Sequence, residues 1–473
     1  MSPTVDRSSI QRKEQRVAFS RADIRFIFFG FILIGLRLAS SATADLAHLL
    51  LIFYALRGRE QAIHALLFSW LFVMINPGLA PVSPYAGLLR YATVLAALIS
   101  VFGRRRRRQR IQARRFLSYT ALLGGFLLVH SMAISPIPDV SILKALSWTM
   151  TILTLLAAWQ GLEANSLRRL EWHVFGLLIA LLIFSLPLSV SSFGYIVNGT
   201  GFQGVLNHPQ AFGPTMAVLG AWAAARLFSE SKPAWWIIIL LAVCLVVILA
   251  SEARTAGFSL VLGVVLSLLL SPIFAGRPFM NMVPGLRSRR VMVMSFLVLV
   301  TSVVMAPVIS EKIHHYITKS GRADVGNVME AYDDSRGAGI RLMLQNFNRH
   351  PYAGIGFGIA SIPESMNIRR DPFFNLPMSA SVEKGVTPIA VLEELGFFGA
   401  LLFGGWVVML LKGSARSGLV PFAVCLAILL INIGEATLFS PGGMGMLYLI
   451  LLAWAYARGQ AAIQRKKAIR NDI

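Results

Sequence analysis

The chain has 473 residues, of which 56% are hydrophobic and only 14% are charged. Soluble domains carry about 25% charged residues, so this composition excludes an ordinary soluble protein and indicates a membrane protein. The formal net charge of +22 would suit a nucleic-acid partner, but the basic residues fall in clusters between pairs of apolar segments. That spacing is the positive-inside pattern of a polytopic membrane protein, and we expect no nucleic-acid partner.

The apolar segments, taken in chain order, predict about fourteen membrane spans. They lie at 24–39, 41–56, 61–75, 85–102, 116–132, 141–159, 172–190, 208–228, 235–250, 255–273, 291–310, 386–411, 418–434 and 442–457. The first two spans are short and the turn at 76–85 is ambiguous, so about twelve spans is the alternative. Every second connection is basic, which predicts that both termini are cytoplasmic.

The predicted fold class is therefore all-α, with the chain divided into a few segments. These are a basic cytoplasmic tail at 1–23, an N-terminal transmembrane bundle at 24–310, a large extracytoplasmic loop at 311–385, C-terminal transmembrane helices at 386–457 and a cytoplasmic tail at 458–473. We expect no cleavable signal peptide, because the first apolar stretch follows a long basic head and lacks a small-residue cleavage site.

The loop at 311–385 is much longer than the other connections between predicted spans, and such long loops are often functional. It contains a predicted amphipathic helix from Ser335 to His350, which ends before Pro351. Its apolar face is made by Ile340, Met343, Leu344 and Phe347, and its polar face by Arg341, Gln345 and Asn348. Such a helix is expected to lie flat at the membrane interface.

Basic residues near the predicted outer ends of spans suggest an anionic ligand on that face. They are Arg37, Arg90, Lys144 and Arg254. The positive-inside bias disfavours cations there, and charge inside a span is costly. For Arg37 and Lys144 taken alone, snorkelling of a long side chain to the interface is the favoured explanation. Arg254 lies between two closely spaced spans, and for this residue we favour a function.

Further polar residues lie at the same predicted face. The stretch Asn207–Gln210, with His208 inside it, precedes Gly213 and Pro214 at the mouth of a span. These residues either leave backbone groups free to bind a ligand or simply kink the start of a helix. The run Gly354–Gly358 lacks the strand and helix of a nucleotide-binding loop, so a tight re-entrant turn beside the membrane is the better interpretation.

Carboxylates mark the point where the loop meets the next span. Glu383 and Lys384 end the loop, and Glu393 and Glu394 begin the span. A carboxylate inside the membrane is a functional candidate by default. Neighbouring residues on a helix point about 100° apart, so at most one of Glu393 and Glu394 is expected to face a given site.

Several short motifs, in this order, resemble the O-antigen ligase and O-antigen polymerase superfamily. They are Asn207–Gln210, Ser251–Thr255, Ser335–Gly337, His350–Gly356 and Leu392–Gly399. The resemblance covers about residues 200–411. It implies a GT-C-type glycosyltransferase that needs no metal or other cofactor and acts at the periplasmic face of the bacterial inner membrane. Its substrates would be oligosaccharides carried on undecaprenyl diphosphate, and its further partners membrane lipid and the flippase and chain-length regulator of the same pathway.

The resemblance also implies roles for individual residues. The donor diphosphate would be held by Arg254 and by Arg336 or Arg341. A bidentate guanidinium can stabilise the charge of such a leaving group in a dry site without a metal. Consistent with this expectation, Asp333 and Asp334 have no third ligand near them in the sequence. Further contacts to substrate are expected from Arg90, His208, Gln210, His350, Lys384 and Glu393.

One departure from the family pattern affects the choice of reaction. Ligases of the family usually carry a histidine where the large loop re-enters the membrane, and here that place reads Val382–Gly385. This favours a polymerase of O-antigen or exopolysaccharide repeat units over a ligase that transfers glycan to lipid A-core. Glu383 becomes the candidate general base, with His350 and Glu393 in reserve.

A transporter is the alternative from another functional class. It would be a flippase for lipid-linked oligosaccharide or a proton-coupled carrier that uses Glu393. Such a carrier should have polar residues near the midplane of several spans. Here the polar residues gather at the predicted outer ends and in one loop, which favours chemistry at the outer face.

Overall fold

The computed structural model describes residues 20–83, 85–103, 114–197, 199–276, 278–304, 336–370, 375–380, 382 and 384–471. The N-terminal half contains α1 (Arg21–Ala39), α2 (Ser41–Ala55), α3 (Arg59–Met74), α4 (Ala86–Gly103), α5 (Arg114–Ala133), α6 (Pro138–Gln160) and α7 (Ala164–Ser185). Each of these helices coincides with a predicted span, although α7 begins well before the predicted start at 172.

The C-terminal half is also mainly helical. It contains α8 (Pro209–Ser229), α9 (Trp235–Ala250), α10 (Arg254–Ala275), α11 (Arg289–Val304), α12 (Ala338–Arg349), α13 (Thr387–Ala415), α14 (Leu419–Gly434) and α15 (Met444–Asn471). The described part of the predicted loop also contains a short antiparallel pair, β1 (Ile368–Arg370) with β2 (Pro377–Ala380), which the sequence did not predict. Helix α15 continues past 457, so the predicted boundary of the tail at 458 is not the end of a helix.

Within the described residues, seven helices are long and apolar enough to cross a membrane by length and composition: α4, α5, α6, α7, α8, α10 and α13. Helices α2, α9 and α14 are apolar but shorter. The described part of every predicted span overlaps a helix, which confirms an all-α polytopic membrane protein. The predicted number of about fourteen crossings exceeds the number of helices that satisfy this criterion.

Helix α8 lies at the centre of the bundle and is buried along most of its length. Its small residues permit close packing of neighbouring helices, as is common in membranes. A Cβ at Gly213 would clash with Ala253, and one at Gly220 would lie 3.0 Å from Leu260. The N-terminal part of α8 is thereby pressed against the turn between α9 and α10.

The outward faces of the peripheral helices remain apolar. Phe28 and Phe31 of α1 are 67% and 65% exposed, and Phe258 and Leu269 of α10 are 69% and 62% exposed. An exposed apolar surface of this kind would favour aggregation in water. It is the expected surface of a helix that faces lipid.

The connections between helices lie at two ends of the bundle. At the first, which we call the basic end, Arg59 donates to the carbonyl of Gly161, Arg169 pairs with Glu60, and Arg458 pairs with Glu171. Arg290 donates to the carbonyl of Pro233 there, and Arg226 lies 4.8–5.6 Å from the rings of Trp172, Trp222 and Trp236. The predicted grouping of basic residues at one end is therefore confirmed for these side chains.

The opposite end, which we call the site end, brings together distant connections. Asn207 N donates to Met74 O at 2.8 Å, and Phe202 N donates to Ala250 O at 2.9 Å. The segment 350–358 and the start of α13 lie at this end as well. All the polar motifs identified in the sequence and covered by the structure therefore belong to the site end.

Candidate functional site

A glycine-rich turn passes between α5, α6 and α13 at the site end. Gly354, Gly356 and Gly358 have φ angles of 70°, 117° and 68°, a region that favours glycine. A Cβ at Gly356 would lie 2.8 Å from Ser135 Cα. Phe357, between two of these glycines, is fully buried. The predicted tight turn is therefore confirmed.

At a break in α13, backbone groups of the turn take the place of the helix's own hydrogen-bond partners. Gly396 has φ 63° and ψ −170° inside that helix, so the helix is broken there. The carbonyls of Glu393 and Glu394 accept from Ile355 N at 2.9 Å and Gly356 N at 3.0 Å, and Phe397 N donates to Pro351 O at 2.8 Å. The break thus joins α13 to residues 351–356 through backbone hydrogen bonds.

We predict that Gly396→Ala destabilises the protein by about 2 kcal/mol or more, because this region of φ and ψ is essentially restricted to glycine. The new Cβ would also clash with the carbonyl oxygen of Tyr352. The matched control is Gly404→Ala in the same helix, where nothing lies within 4 Å and alanine is expected to stabilise by up to about 1 kcal/mol. Thermal unfolding of the purified variants in detergent measures both, and equal midpoints would contradict the prediction.

A buried ion cluster of Lys384, Glu393 and Glu394 lies directly beneath this turn. Lys384 Nζ is 2.7 Å from Glu393 Oε2 and 2.9 Å from Glu394 Oε1, and the three side chains are only 1%, 0% and 10% exposed. The expectation that at most one of the two glutamates faces a given site is therefore wrong. Although their side chains diverge by about 100°, the lysine ammonium lies between them and reaches both.

Three of the four carboxylate oxygens of the cluster have a partner in addition to Lys384. Asn346 Nδ2 donates to Glu393 Oε1 at 2.7 Å, and Ser361 Oγ donates to Glu393 Oε2 at 3.1 Å. Gly358 N donates to Glu394 Oε2 at 2.6 Å. Buried charges are tolerated when they are paired and hydrogen-bonded in this way. The arrangement fastens α12, the glycine turn and the end of the loop to α13.

The cluster changes the roles expected for Lys384 and Glu393. Both side chains are enclosed and engaged with each other, so neither presents a charge to the surface of the site. Lys384 was expected to contact substrate and Glu393 was a reserve base. Their contacts indicate a structural role, in which they hold the end of the loop to α13.

Lys144 and Arg37 also hold segments together at the site end, by hydrogen bonds to backbone carbonyls. Lys144 Nζ donates to Gly358 O at 2.6 Å. Arg37 is 8% exposed and donates to Pro81 O at 2.6 Å and Phe72 O at 3.3 Å. Snorkelling is therefore the wrong explanation for both, since each cation binds protein carbonyls.

Arg336 lies where the loop, α13 and α14 meet. Its Nη2 is 3.2 Å from Glu435 Oε1, and both side chains remain partly exposed. A Cβ at Gly385 would overlap the Arg336 guanidinium, so the arginine lies over the backbone that adjoins Lys384. The ion cluster therefore fixes the segment against which Arg336 rests.

Arg254 approaches the same corner of the molecule from α10. It is the first residue of that helix and is partly exposed. The next residue, Thr255, packs so closely on Gly434 at the end of α14 that a Cβ on Gly434 would lie 2.5 Å from its side chain. Gly434 precedes Glu435, the partner of Arg336. Two of the predicted arginines are thus carried by segments that converge on the C-terminal end of α14.

His208 and Gln210 begin the neighbouring helix α8. His208 is the N-cap residue, and its Nδ1 accepts a hydrogen bond from Gln210 N at 3.0 Å. The Gln210 side chain is exposed. The start of α8 packs against the turn that carries Arg254, as shown by the contact between Gly213 and Ala253. His208 therefore has a structural role as a helix cap beside the candidate site.

Helix α12 confirms the predicted amphipathic helix, with a shifted buried face. Met343 and Ile340 pack against Val386 and Ala390 of the loop end and α13, whereas the predicted apolar residue Leu344 is 40% exposed. The apolar face is therefore covered by protein, which is not the arrangement expected of a helix lying flat on lipid. Arg341 and His350 are exposed.

Arg90 lies on another connection at the site end. Its Nη1 donates to Gly442 O at 2.9 Å, and its guanidinium lies 5.1 Å from the ring of Tyr91. It holds the segment between α14 and α15 to α4. The remaining predicted residues, Glu383, Asp333 and Asp334, lie outside the described residues.

Several residues of the site were not predicted. Asn346 and Ser361 hydrogen-bond to the ion cluster, and His130 Nε2 donates to Ala353 O at 2.5 Å. Glu435 follows the predicted span 418–434 by one residue. Its position at the edge of an apolar segment was the available signal, because acidic residues there are costly without a partner.

Among the described residues, no three His, Cys, Asp or Glu side chains are placed to hold a metal ion. What the site end offers chemically is two partly exposed arginines, Arg254 and Arg336, on segments that meet at the end of α14. Such groups suit an anionic ligand. Comparison with known protein families finds no match, and comparison with curated proteins finds no significant relative.

Proposed function

We propose that the chain is a membrane glycosyltransferase that polymerises oligosaccharide repeat units carried on undecaprenyl diphosphate. The product would be an O-antigen or exopolysaccharide. The observation that carries the proposal is the convergence of the segments that carry Arg254 and Arg336 at the end of α14, through Thr255 against Gly434 and Arg336 against Glu435. The motif resemblance supplies the substrate class, and a GT-C-like arrangement of the helices is part of the proposal.

The proposed reaction follows from the charge that develops on the leaving group. An acceptor hydroxyl attacks the anomeric carbon of the donor, the bond from that carbon to the diphosphate breaks, and undecaprenyl diphosphate leaves. Arg254 and Arg336 stabilise the negative charge on the diphosphate oxygens. Of the two alternatives Arg336 and Arg341, we favour Arg336, because it pairs with Glu435 at the end of α14.

The acceptor must lose a proton, and we assign the base to Glu383. The residue lies outside the described residues, but its neighbour Lys384 is fixed in the ion cluster and Gly385 lies against Arg336. We predict that Glu383→Gln lowers turnover by at least about tenfold while donor binding persists. Turnover and donor binding are measured on the purified variant. Full turnover, together with a loss in His350→Ala, would move the base to His350.

We further assign the basic end to the cytoplasm and the site end to the periplasm of the bacterial inner membrane. The positive-inside rule supports this orientation. Ser365 is exposed at the site end, and both native cysteines are buried. We predict that Ser365→Cys reacts with a membrane-impermeant thiol reagent in intact spheroplasts. Labelling only after lysis would reverse the orientation.

A deletion strain distinguishes the proposed function from its alternatives. Loss of a polymerase leaves single repeat units on the lipid carrier or on lipid A-core. Loss of a ligase leaves full-length polymer on the carrier. Loss of a transporter leaves single units on the inner leaflet. This alternative is favoured by one observation, the buried charge of Glu393 within the candidate span α13 and its pairing with Lys384.

A further inference from the structure

Four side chains form a continuous hydrogen-bonded chain at the basic end, remote from the proposed site. His173 Nε2 is 2.9 Å from Asp23 Oδ1, and His64 Nε2 is 2.9 Å from His173 Nδ1. The Tyr54 hydroxyl is 3.3 Å from His64 Nδ1. We call these residues the histidine chain. It links α1, α7, α3 and α2 in that order.

The two imidazoles of the histidine chain are enclosed. His64 and His173 are 3% and 9% exposed. Phe26 of α1 covers both, with its ring centroid 4.1 Å from that of His173 and 4.3 Å from that of His64. Because buried polar atoms need hydrogen-bond partners, the ring nitrogens must be satisfied within the chain itself.

One set of protons satisfies every atom of the chain. The ionised Asp23 carboxylate can only accept, so His173 Nε2 carries a proton and donates to it. Neutral His173 then accepts at Nδ1 from His64 Nε2, and His64 accepts at Nδ1 from the Tyr54 hydroxyl. The directions of all three hydrogen bonds are thereby fixed, with both imidazoles neutral.

The chain can bind one additional proton without losing a hydrogen bond. If His64 becomes an imidazolium, its Nδ1 donates to the Tyr54 oxygen and the hydroxyl proton turns away. A second proton must go to His173 Nδ1. Two N–H groups then face each other across the 2.9 Å contact between the imidazoles, and that hydrogen bond must break.

The surrounding charges do not relieve this conflict. The charged groups that act on the imidazoles are Asp23, Glu60 and Arg169, and Arg57 acts on Tyr54. Arg169 Nη2 is 2.9 Å and 2.7 Å from the two carboxylate oxygens of Glu60, so this pair is internally neutralised. The remaining negative charge, that of Asp23, balances the positive charge of one imidazolium but not of two.

We propose that the histidine chain is a proton-operated latch that fastens the first turns of α1 to α3 and α7. It is closed with no more than one additional proton and is opened by the second. Arg37 holds the far end of α1 to the carbonyls of Phe72 and Pro81, so the opening is confined to the start of the helix. This proposal is independent of the proposed enzymatic function.

The direction of the pH dependence follows from the proton count. The open state binds one more proton than the closed state, so lowering the pH favours opening. The opening equilibrium should rise by up to about tenfold for each pH unit once the second imidazole is titrated. Raising the pH should close the latch.

Hydrogen exchange on the purified full-length chain in lipid nanodiscs tests the latch. When the pH is lowered from 7.5 to 5.5, peptides from residues 20–36 of the native protein should exchange more, after correction for the intrinsic pH dependence of exchange. We call this increase the acid step. His64→Gln should abolish the acid step, because glutamine can donate to His173 and accept from Tyr54 but binds no proton. His48→Gln is the matched control, since His48 is a buried histidine that bonds to Ala44 O of its own helix at 2.9 Å, and the step should persist.

A flat profile in the native protein would overturn the proposal, as would an acid step that persists in His64→Gln. If His64→Gln does not fold, His173→Gln provides the same test. Glutamine there can donate to Asp23 and accept from His64, and it also leaves a single imidazole in the chain. An acid step of native size in that variant would equally exclude the latch.

Discussion

Replacement of Arg254 by alanine is expected to abolish polymer formation, with a loss of at least about a hundredfold in turnover. The guanidinium is assigned to the diphosphate, where charge grows as the glycosidic bond to the leaving group breaks. Arg254→Lys should remain strongly impaired, because an ammonium cannot reproduce the bidentate fork. Polymer length and amount are measured on gels of surface polysaccharide and, for the purified variants, by turnover of lipid-linked donor.

The matched control for Arg254 is Arg349→Ala. Arg349 is an exposed arginine of α12 that lies at the same end of the bundle, so the control removes equal charge without removing the proposed contact. Its turnover should stay close to the native value. If a well-expressed Arg254→Ala variant makes normal polymer, the arginine serves topology alone and the proposed diphosphate site is wrong.

Replacement of Lys384 by methionine is expected to have the largest effect on stability. The change leaves the two carboxylates of the ion cluster, 0% and 10% exposed, without their cation. Loss of one partner of a buried ion pair typically costs about 3–5 kcal/mol. Thermal unfolding of the purified protein in detergent measures the loss. Lys412→Met, which removes an exposed lysine from the same helix α13, should change the midpoint little.

A combined variant separates structure from chemistry at Lys384. Lys384→Met with Glu393→Gln and Glu394→Gln removes all three charges, so most of the lost stability should return. If Lys384 only fastens the loop, polymer formation should return with it. Restored stability without any polymer would instead show that at least one of the three side chains takes part in the reaction, as the sequence had suggested for Lys384 and Glu393. An unaltered midpoint for Lys384→Met alone would contradict the buried ion cluster itself.

The sequence was most informative where a single physical rule decides the outcome. Apolar segments long enough to span a bilayer became helices, because backbone groups in lipid must be satisfied within the segment. The four cations Arg37, Arg90, Lys144 and Arg254 were correctly placed at one end of the bundle. The alternation of basic and apolar segments predicted that placement without knowledge of any contact.

The sequence was least informative where contacts join distant parts of the chain. Met343 and Leu344 both fit an apolar face, but only the packing of α12 on Val386 and Ala390 decides that Met343 is buried. Asn346 is buried because Glu393, distant in sequence, offers it an acceptor. The pairing of both Glu393 and Glu394 with Lys384 was missed for a related reason, since helical periodicity says nothing about a long side chain that approaches from another segment.

The site itself was only partly predictable. Arg254 and Arg336 were both named from the sequence, but their convergence depends on Thr255 packing on Gly434 and on the ion pair of Arg336 with Glu435. Neither contact has a local sequence signal. The histidine chain has no sequence signal, because its members are single residues on four helices and a lone histidine in an apolar segment has no periodic or spacing pattern.

The central claim is tested most directly by synthesis with the purified protein. The chain, reconstituted in liposomes with a lipid-linked oligosaccharide repeat unit and EDTA, should produce a ladder of products longer than one unit. Each added unit should release one molecule of undecaprenyl diphosphate, with no need for Mg²⁺ or Mn²⁺. A folded protein that leaves the donor unreacted under all metal conditions would contradict the proposed polymerase, and a ladder that appears only with added metal would contradict the role given to the arginines.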